Sequence, residues 1–293
     1  MLYIRKSRGE RLFDVANAAV LVLLCFATLY PFLFVISRSL MSDTERAVRP
    51  FALIPQRVDI EAYKFILSSK SLLFRAYQVT IFRTVVGTAL SLLVESMFAY
   101  VISKKTYPLT KPLTAMIAFT LWFSGGLIPT FLLVRSLGLL NSVWVYVFPR
   151  LMVAWNILIL RNFFAQLPDS LEESATMDGA NDVVILFRIV LPLSTAAIAT
   201  MALFHAVWHW NEWFAAVIYV NNSRLWPVQV VLRRILDSAR QIDLLDAVNP
   251  DYQPPTVSVQ MATIVVVAFP IIVVYPFIQK YFTKGILIGS IKG

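Results

Sequence analysis

The stretch "EESATMDGANDVVILFRIVLP", residues 172–192, differs in composition from the chain around it. It carries acids, a glycine, an asparagine and a closing proline, whereas the whole chain of 293 residues is 58% hydrophobic and only 15% charged. A water-soluble domain usually has about 25% charged residues. Together with a mean hydropathy of +0.71, this composition favours a membrane protein in which the polar stretch lies outside the lipid.

Apolar segments of spanning length recur along the chain, since a helix crosses a bilayer with roughly 20 residues. Backbone groups in lipid must be satisfied within their own segment, so we expect the spans to be helices. The predicted fold class is therefore all-α, a polytopic membrane protein with six transmembrane helices. A cytoplasmic N-terminus, 1–14, precedes the transmembrane domain, 15–293. The predicted spans are about 15–37, 77–103, 113–135, 143–163, 194–220 and 258–282.

Basic residues indicate the orientation of these spans. An even number of spans places both termini on one side, and short basic loops mark the cytoplasmic side. We therefore expect both termini to be cytoplasmic and the segment 168–192 to be a cytoplasmic element between spans four and five. The basic residues on that side are Arg5, Lys6, Arg8, Arg11, Lys104, Lys105, Lys111, Lys280, Lys284 and Lys292. The loops on the other side are longer and include the acids Asp43, Glu61, Asp237 and Asp251.

The net charge and the cysteine count exclude several classes of protein. Topology explains the net charge of +9, so no nucleic-acid partner is expected. The single Cys25 lies in an apolar run and supports neither a disulfide nor a cysteine metal site. That run has no small-residue cleavage site, so we expect it to remain as a span.

Helix signals organise the cytoplasmic segment. Ser170 followed by Glu173 forms a capping-box pattern that predicts a helix start. Gly179 suits the end of that helix, because a left-handed backbone is common there. Asn181 can start a second, very apolar helix that Pro192 interrupts. A well-capped loop with no further function is the alternative interpretation of the same residues.

The spacing of several residues in this segment resembles the EAA-G-I-LP signature of ABC importer permeases. Ser174 replaces the second residue of the signature triplet, which is a common variation. The residues that match are Glu173, Ala175, Gly179, Ile189, Leu191 and Pro192.

Other stretches are similar to the carbohydrate-uptake branch of that family, so that with the six spans the resemblance covers nearly the whole chain. The short N-terminus and the terminal "KG" resemble the smaller of two paired permease subunits. The sequence "PDSLEESATMDGAND" is similar to the corresponding segment of permeases that import oligosaccharides derived from polysaccharides. The further matching stretches are "IPTFLLVRSLGLLNS" (128–142), "WNEWF" (210–214) and "KGILIGSIKG" (284–293).

The resemblance implies the type I ABC importer permease fold, with a cytoplasmic coupling helix that sits in a cleft of an ATPase. Glu173 would offer its carboxylate to an arginine of that ATPase. Asp178 is either a second contact or a solvated turn acid. The residues expected to couple to the ATPase are Glu173, Ser174, Ala175, Asp178, Gly179, Leu191 and Pro192.

The implied partners are a second homologous permease, two ATPase subunits, an extracytoplasmic solute-binding protein, an oligosaccharide and membrane lipid. The implied location is the bacterial plasma (inner) membrane. The chain has no glycine-rich loop that ends in Lys-Ser or Lys-Thr. We therefore expect it to be a transport subunit rather than an enzyme, with no cofactor of its own, and ATP and Mg²⁺ to be bound by the partner ATPase.

Polar residues inside the spans are candidates for a substrate pathway, because such groups are costly in lipid. In span five, His205, His209 and Glu212 fall on one helical face with Trp208 beside them, and aromatic rings with hydrogen-bonding neighbours suit sugars. Ordinary helix packing is the alternative. No HExxH arrangement supports zinc, and no metal site is expected. The candidate pathway residues are Arg83, Arg150, Asn156, His205, Trp208, His209, Asn211 and Glu212.

Several charged and polar residues lie within the predicted spans. Arg83 and Glu212 fall at similar depth, so an ion pair between them is possible, but spacing alone does not show it. Arg150 would suit an anionic cargo, with snorkelling to the outer surface as the alternative. Glu95 and Gln260 are also polar intrusions. An acidic polysaccharide fragment such as alginate remains open as cargo.

Other functions remain open beside the importer. An ion-coupled secondary transporter would depend on intramembrane acids such as Glu95 and Glu212. A membrane enzyme would use His205 or His209 as a base. The outer segment 221–257 has alternating charges typical of a solvated helix, which either contacts a binding protein or covers the pore.

Overall fold

The computed structural model describes residues 7–68, 71–240 and 257–290, and no β-strand occurs within these ranges. The predicted all-α class is confirmed. The α-helices are α1 (Arg8–Ser39), α2 (Asp43–Val48), α3 (Glu61–Ile66), α4 (Leu72–Ser103), α5 (Thr110–Trp122), α6 (Leu127–Ser136), α7 (Ala154–Phe164), α8 (Asp169–Met177), α9 (Asp182–Ile185), α10 (Leu191–Leu193), α11 (Thr195–Asn211), α12 (Phe214–Tyr219), α13 (Val228–Arg240) and α14 (Val257–Ser290). Short 3-10 segments cover Val143–Tyr146, Phe148–Arg150 and Ser223–Leu225, and a π-helical segment covers Leu186–Val190.

Three described helices are individually long and apolar enough to cross a membrane: α1, α4 and the Val257–Val274 part of α14. Three bent pairs meet the same test when each pair is taken as one span. α5 and α6 are bent by 117°, Val143–Arg150 and α7 by 52°, and Asp182–Leu193 and α11 by 86°. At each bend, a break of at most four residues separates the two helical segments. The bounds of the lipid-embedded parts stay a prediction.

One compact unit comprises residues 1–68 and 234–268. Within it, the connection that follows α1 is ordered by polar contacts: Ser39 Oγ lies 2.6 Å from the hydroxyl of Tyr63. Arg46 is buried and donates to the carbonyl oxygens of Arg38, at the end of α1, and Met41. Burial lowers the pKa of the Arg46 guanidinium. The connection that the sequence predicts as a longer loop on the outer side therefore contains two short helices, α2 and α3.

The second compact unit comprises residues 69–233 and 269–293. Its core packs apolar residues of α4, α5, α7 and α11 against the apolar segment that follows α9. Leu160, Leu186 and Met201 are almost completely buried there. This core fixes the segment 168–192 to helices of four predicted spans. Burial of such side chains stabilises by about 1.5–3 kcal/mol each in water, whereas packing contacts dominate in lipid.

Parts of the predictions fall on residues 1–6, 241–256 and 291–293, which lie outside the described residues. They include the first basic residues, the acidic end of the outer segment and the final "IKG". The described part of the segment 221–257 forms a helix, α13, as predicted, but only one side of it is solvated: Arg233 and Asp237 are exposed, whereas Val228, Val230 and Val231 are buried.

Candidate functional site

The segment 168–192, which the sequence predicts to be cytoplasmic, is built around a tight turn at Gly179. The N–H of Ala180 donates to the carbonyl of Ala175 at 2.9 Å, and the N–H of Gly179 donates to that of Thr176 at 3.0 Å. This pair of bonds is the Schellman motif, which satisfies the last carbonyls of α8. Gly179 has φ +84°, a left-handed conformation that glycine adopts without strain. The predicted helix end at Gly179 is confirmed.

The start of α8 differs from the prediction. The N-cap is Pro168, with no side-chain cap bond, and the helix begins at Asp169. Ser170 therefore lies inside the first turn, and the capping box with Glu173 is wrong. Proline pre-sets a backbone angle near that of a helix, so the chain enters α8 without a polar cap. Acids in this first turn still suit the positive end of the helix dipole.

The second helix of the segment begins as predicted. Asn181 is the N-cap, and its side-chain oxygen accepts from the N–H of Val184 at 2.9 Å. The chain continues through the π-helical segment and reaches Pro192 in α10. The bend of 86° into α11 follows immediately. Pro192 thus stands at the junction between the cytoplasmic segment and the fifth span.

One side of the segment is packed and the other is open. Ala175 and Leu191 lie against the core of the second unit, with Ala180 beside them. Glu173, Ser174, Asp178 and Gly179 are exposed. Neither Glu173 nor Asp178 has a hydrogen-bonding or ionic side-chain partner among the described residues. Met177, which no local sequence pattern marks, is 88% exposed. The segment presents acids and one large apolar side chain on a firmly held turn.

Lys104, at the end of α4, connects the segment to the transmembrane helices. Its ammonium forms an ion pair with Glu172 of α8 and lies 4.3 Å from the ring centre of Tyr100. Burial lowers the pKa of Lys104, while Asp182 and Asp169 oppose that shift. The sequence assigned Lys104 only to the basic cytoplasmic side. The structure adds a direct link from α4 to α8.

Within the spans, Arg83 and Glu212 form a pair. Nη2 of Arg83 donates to Oε2 of Glu212 at 3.1 Å, and Nη1 donates to the Glu212 carbonyl at 2.9 Å. Arg83 is fully buried and also lies 4.7 Å from the ring centre of Tyr146. Glu212 does not share a helical face with the histidines, since α11 ends at Asn211 and Glu212 is extended. Leaving the helix frees its carbonyl to accept from Arg83.

A second buried group joins Glu95, His205 and Asn156. Nε2 of His205 lies 2.8 Å from Oε2 of Glu95 and 2.9 Å from Nδ2 of Asn156. Oε1 of Glu95 accepts from the N–H of Val153 at 2.8 Å, just before α7 begins. All three side chains are at most 5% exposed. The group ties together α4, α7 and α11, the helices of the second, fourth and fifth spans.

Arg150 and Trp208 form a third feature. The guanidinium carbon of Arg150 lies 3.8 Å from the ring centre of Trp208. The stacking orients the guanidinium along the ring face. Both side chains are half-buried.

The last two candidate residues differ in their surroundings. His209 is fully buried, and neither ring nitrogen has a hydrogen-bond partner within the described part of the chain. Its ring packs on Gly87, where a Cβ atom would come within 2.4 Å of Nε2. Asn211 is exposed and its amide nitrogen donates to the carbonyl of Val207, so it lies apart from these buried groups. Gly87 was not predicted, because its role depends on His209, which is 122 residues away along the chain.

Comparisons with known proteins decide the family. A family model described as "Binding-protein-dependent transport system inner membrane component" matches residues 97–288. The chain belongs to this family. The permease is 44% identical over 286 residues to the polygalacturonan/rhamnogalacturonan transport system permease protein YtcP of Bacillus subtilis, covering 97% of this chain and 99% of the relative. It is 42% identical to Protein LplC of the same organism, covering 98% and 97%.

A solved structure supports the same assignment. The permease superposes on a chain of a bacterial ABC transporter involved in the import of the acidic polysaccharide alginate, with a TM-score of 0.85 and 34% identity. The match covers 95% of this chain and 99% of that chain. The predicted type I ABC importer permease fold is confirmed. The protein is a multi-pass inner-membrane permease subunit of an ABC importer rather than an enzyme, and the ion-coupled alternative has no support.

Proposed function

We propose that this permease forms half of the translocation pathway for an oligosaccharide and couples its movement to ATP hydrolysis by a separate ATPase. The other half would come from a second homologous permease. Two ATPase subunits would bind ATP and Mg²⁺, and an extracytoplasmic binding protein would deliver the cargo. Both termini lie in the cytoplasm in this arrangement, in agreement with the basic residues that flank the spans.

The observation that carries the coupling role is the two-sided construction of the cytoplasmic segment. Ala175 and Leu191 are packed against the core of the second unit, whereas Glu173 and Met177 project outward. An exposed carboxylate can form a charge-assisted bond with an arginine of the ATPase. An exposed methionine can fill an apolar cleft. A force applied to this surface passes through Pro192 into the fifth span.

The oligosaccharide class is supported by the relatives and by the residues of the spans. Two of the similar proteins transport, by their descriptions, polygalacturonan or rhamnogalacturonan and alginate. The pathway we propose for this chain contains Arg83, Arg150, Asn156, His205, Trp208, His209, Asn211 and Glu212. Of these, the buried groups hold the helices together, Asn211 lies apart from them, and the half-buried Arg150 and Trp208 are open to cargo.

The test of coupling uses the complete importer in proteoliposomes, with the second permease, the ATPase and the loaded binding protein. We expect Glu173→Ala to reduce ATP hydrolysis stimulated by the binding protein about tenfold, since one charge-assisted contact is lost. Co-purification of the ATPase with each variant measures whether the complex still assembles. Glu61→Ala is the matched control, because Glu61 is an exposed acid on the proposed outer side. Normal stimulated hydrolysis in Glu173→Ala would contradict the coupling assignment.

A further inference from the structure

Arg150 lies at a break in the fourth span. It ends the 3-10 segment Phe148–Arg150, and α7 begins at Ala154 after a bend of 52°. Its carbonyl accepts from Ser91 Oγ at 3.4 Å, which helps to fix the backbone at the break. Irregular backbone inside a span is tolerated where it is buried in protein or lines a cavity. The half-buried Arg150 therefore lies where a transport pathway is structurally permitted.

The guanidinium of Arg150 has unused donors. Its Nε is buried without a hydrogen-bond partner, and neither Nη group donates to any residue in the described ranges. Among those residues, no carboxylate lies within ion-pair distance of Arg150. The contact that its guanidinium does make there is the stacking on Trp208. Arginine presents five N–H donors in a planar fork. Such a group inside a membrane protein marks a functional site.

The two acids that act electrostatically on Arg150, Glu212 and Glu95, are already engaged. Glu212 accepts from Arg83 with Oε2 and from the N–H of Ala215 with Oε1, at 3.1 and 2.9 Å. Glu95 meets His205 with Oε2 and the N–H of Val153 with Oε1, both at 2.8 Å. Each carboxylate oxygen therefore has a partner, and both acids act on Arg150 only through space. Because both acids have other partners, the Arg150 guanidinium is available to an external anion.

The stacking on Trp208 determines which anion fits. A guanidinium that lies on an aromatic face keeps its edge free for a planar, bidentate acceptor. A carboxylate has this geometry. A sugar acid also brings an apolar ring face that packs well on aromatic side chains, and Phe148 and Trp155 beside the break are 45% and 61% exposed. The chemistry therefore favours a uronate over a neutral sugar.

We propose that Arg150, held by Trp208, binds a carboxylate of an acidic oligosaccharide in the translocation pathway and so selects uronate-containing cargo. This inference rests on the proposed function and adds a specificity residue to it. Arg83, by contrast, keeps its structural pairing with Glu212. The permease itself, and not only the binding protein, would then discriminate charge.

The experiment measures binding of tetragalacturonate to the detergent-purified complex of this chain, its partner permease and the ATPase, by calorimetry and without binding protein. The fully methyl-esterified tetragalacturonate is the matched neutral probe. We expect the wild type to bind the acid at least about tenfold more tightly than the ester, as a charge-assisted hydrogen bond implies. Arg150→Gln should bring the ratio close to one, and Arg150→Lys should keep part of it.

Arg135→Gln is the control, because Arg135 is exposed on α6 and should leave the ratio at its wild-type value. Basal ATP hydrolysis and the size-exclusion profile of each variant show whether it is folded and assembled. A wild-type ratio near one, no binding of either probe, or an unchanged ratio in Arg150→Gln would overturn the inference. These readouts are independent of the Glu173→Ala hydrolysis assay, so failure here is distinguishable from failure of the coupling assignment.

Discussion

Glu95 and His205 are 110 residues apart in sequence, yet Oε2 of Glu95 and Nε2 of His205 lie 2.8 Å apart in a buried contact. Both side chains are at most 2% exposed. Through Oε1, Glu95 also holds the N–H of Val153 at the start of α7. One carboxylate thus connects three helices that apolar packing alone would not align in a fixed register.

Removing this carboxylate should destabilise the permease. Glu95→Leu leaves His205 and the Val153 N–H without their acceptor, and loss of one partner of a buried pair costs about 3–5 kcal/mol. Glu95→Gln keeps acceptor and donor atoms and should cost about 1–2 kcal/mol. Thermal unfolding of the detergent-purified complex measures both. Equal midpoints for Glu95→Leu and the wild type would refute the role of this carboxylate.

Gly87 should be intolerant of even one added carbon. A Cβ atom there would meet Nε2 of His209 at 2.4 Å, well below the contact distance of non-bonded carbon and nitrogen atoms. Overpacking of this kind typically costs about 1–3 kcal/mol, so Gly87→Ala should lower the unfolding midpoint. Gly125→Ala is the control, because its Cβ would meet Pro129 at an ordinary 3.7 Å. Adding His209→Ala should restore part of the stability lost in Gly87→Ala, and no rescue would argue against this contact.

Gly179 tests backbone conformation rather than packing. Nothing lies within 4 Å of a Cβ atom at this position, but φ is +84°. Gly179→Ala should therefore cost about 1–2 kcal/mol from backbone strain alone. Asparagine enters the left-handed region more readily, so Gly179→Asn should retain more of the stimulated ATP hydrolysis in the assembled importer. If both substitutions behave identically, the turn geometry is not what this position supplies.

The contact between Lys104 and Glu172 should contribute to coupling. Lys104→Glu places an acid beside Glu172, Asp169 and Asp182, so we expect stimulated hydrolysis to fall severalfold because α8 is pushed from α4. The exchange Lys104→Glu with Glu172→Lys should restore part of it. Lys105→Glu changes the same charge at an exposed neighbour and should have little effect. If Lys105→Glu lowers stimulated hydrolysis as much as Lys104→Glu does, the loss comes from the charge of the loop and not from the contact between Lys104 and Glu172.

The cytoplasmic segment shows where sequence reasoning succeeded and where it failed. Gly179 and Asn181 were predicted correctly, since a helix end and an N-cap depend on local backbone chemistry. The capping box at Ser170 was wrong, because a preceding proline can start a helix without a side-chain cap. Met177 carried no local signal, and only the packing of α8 shows that it is the side chain left outside.

The sequence by itself determined that the protein is an all-α membrane permease. Long apolar runs must be helical in lipid, and the spaced signature at 172–192 is a property of neighbouring residues. Tertiary structure alone decided which polar residues meet. Whether Glu212 faces the histidines or Arg83 depends on where α11 ends. Pairings across more than a hundred residues follow from how bent helices pack, because that packing brings distant side chains within hydrogen-bond reach.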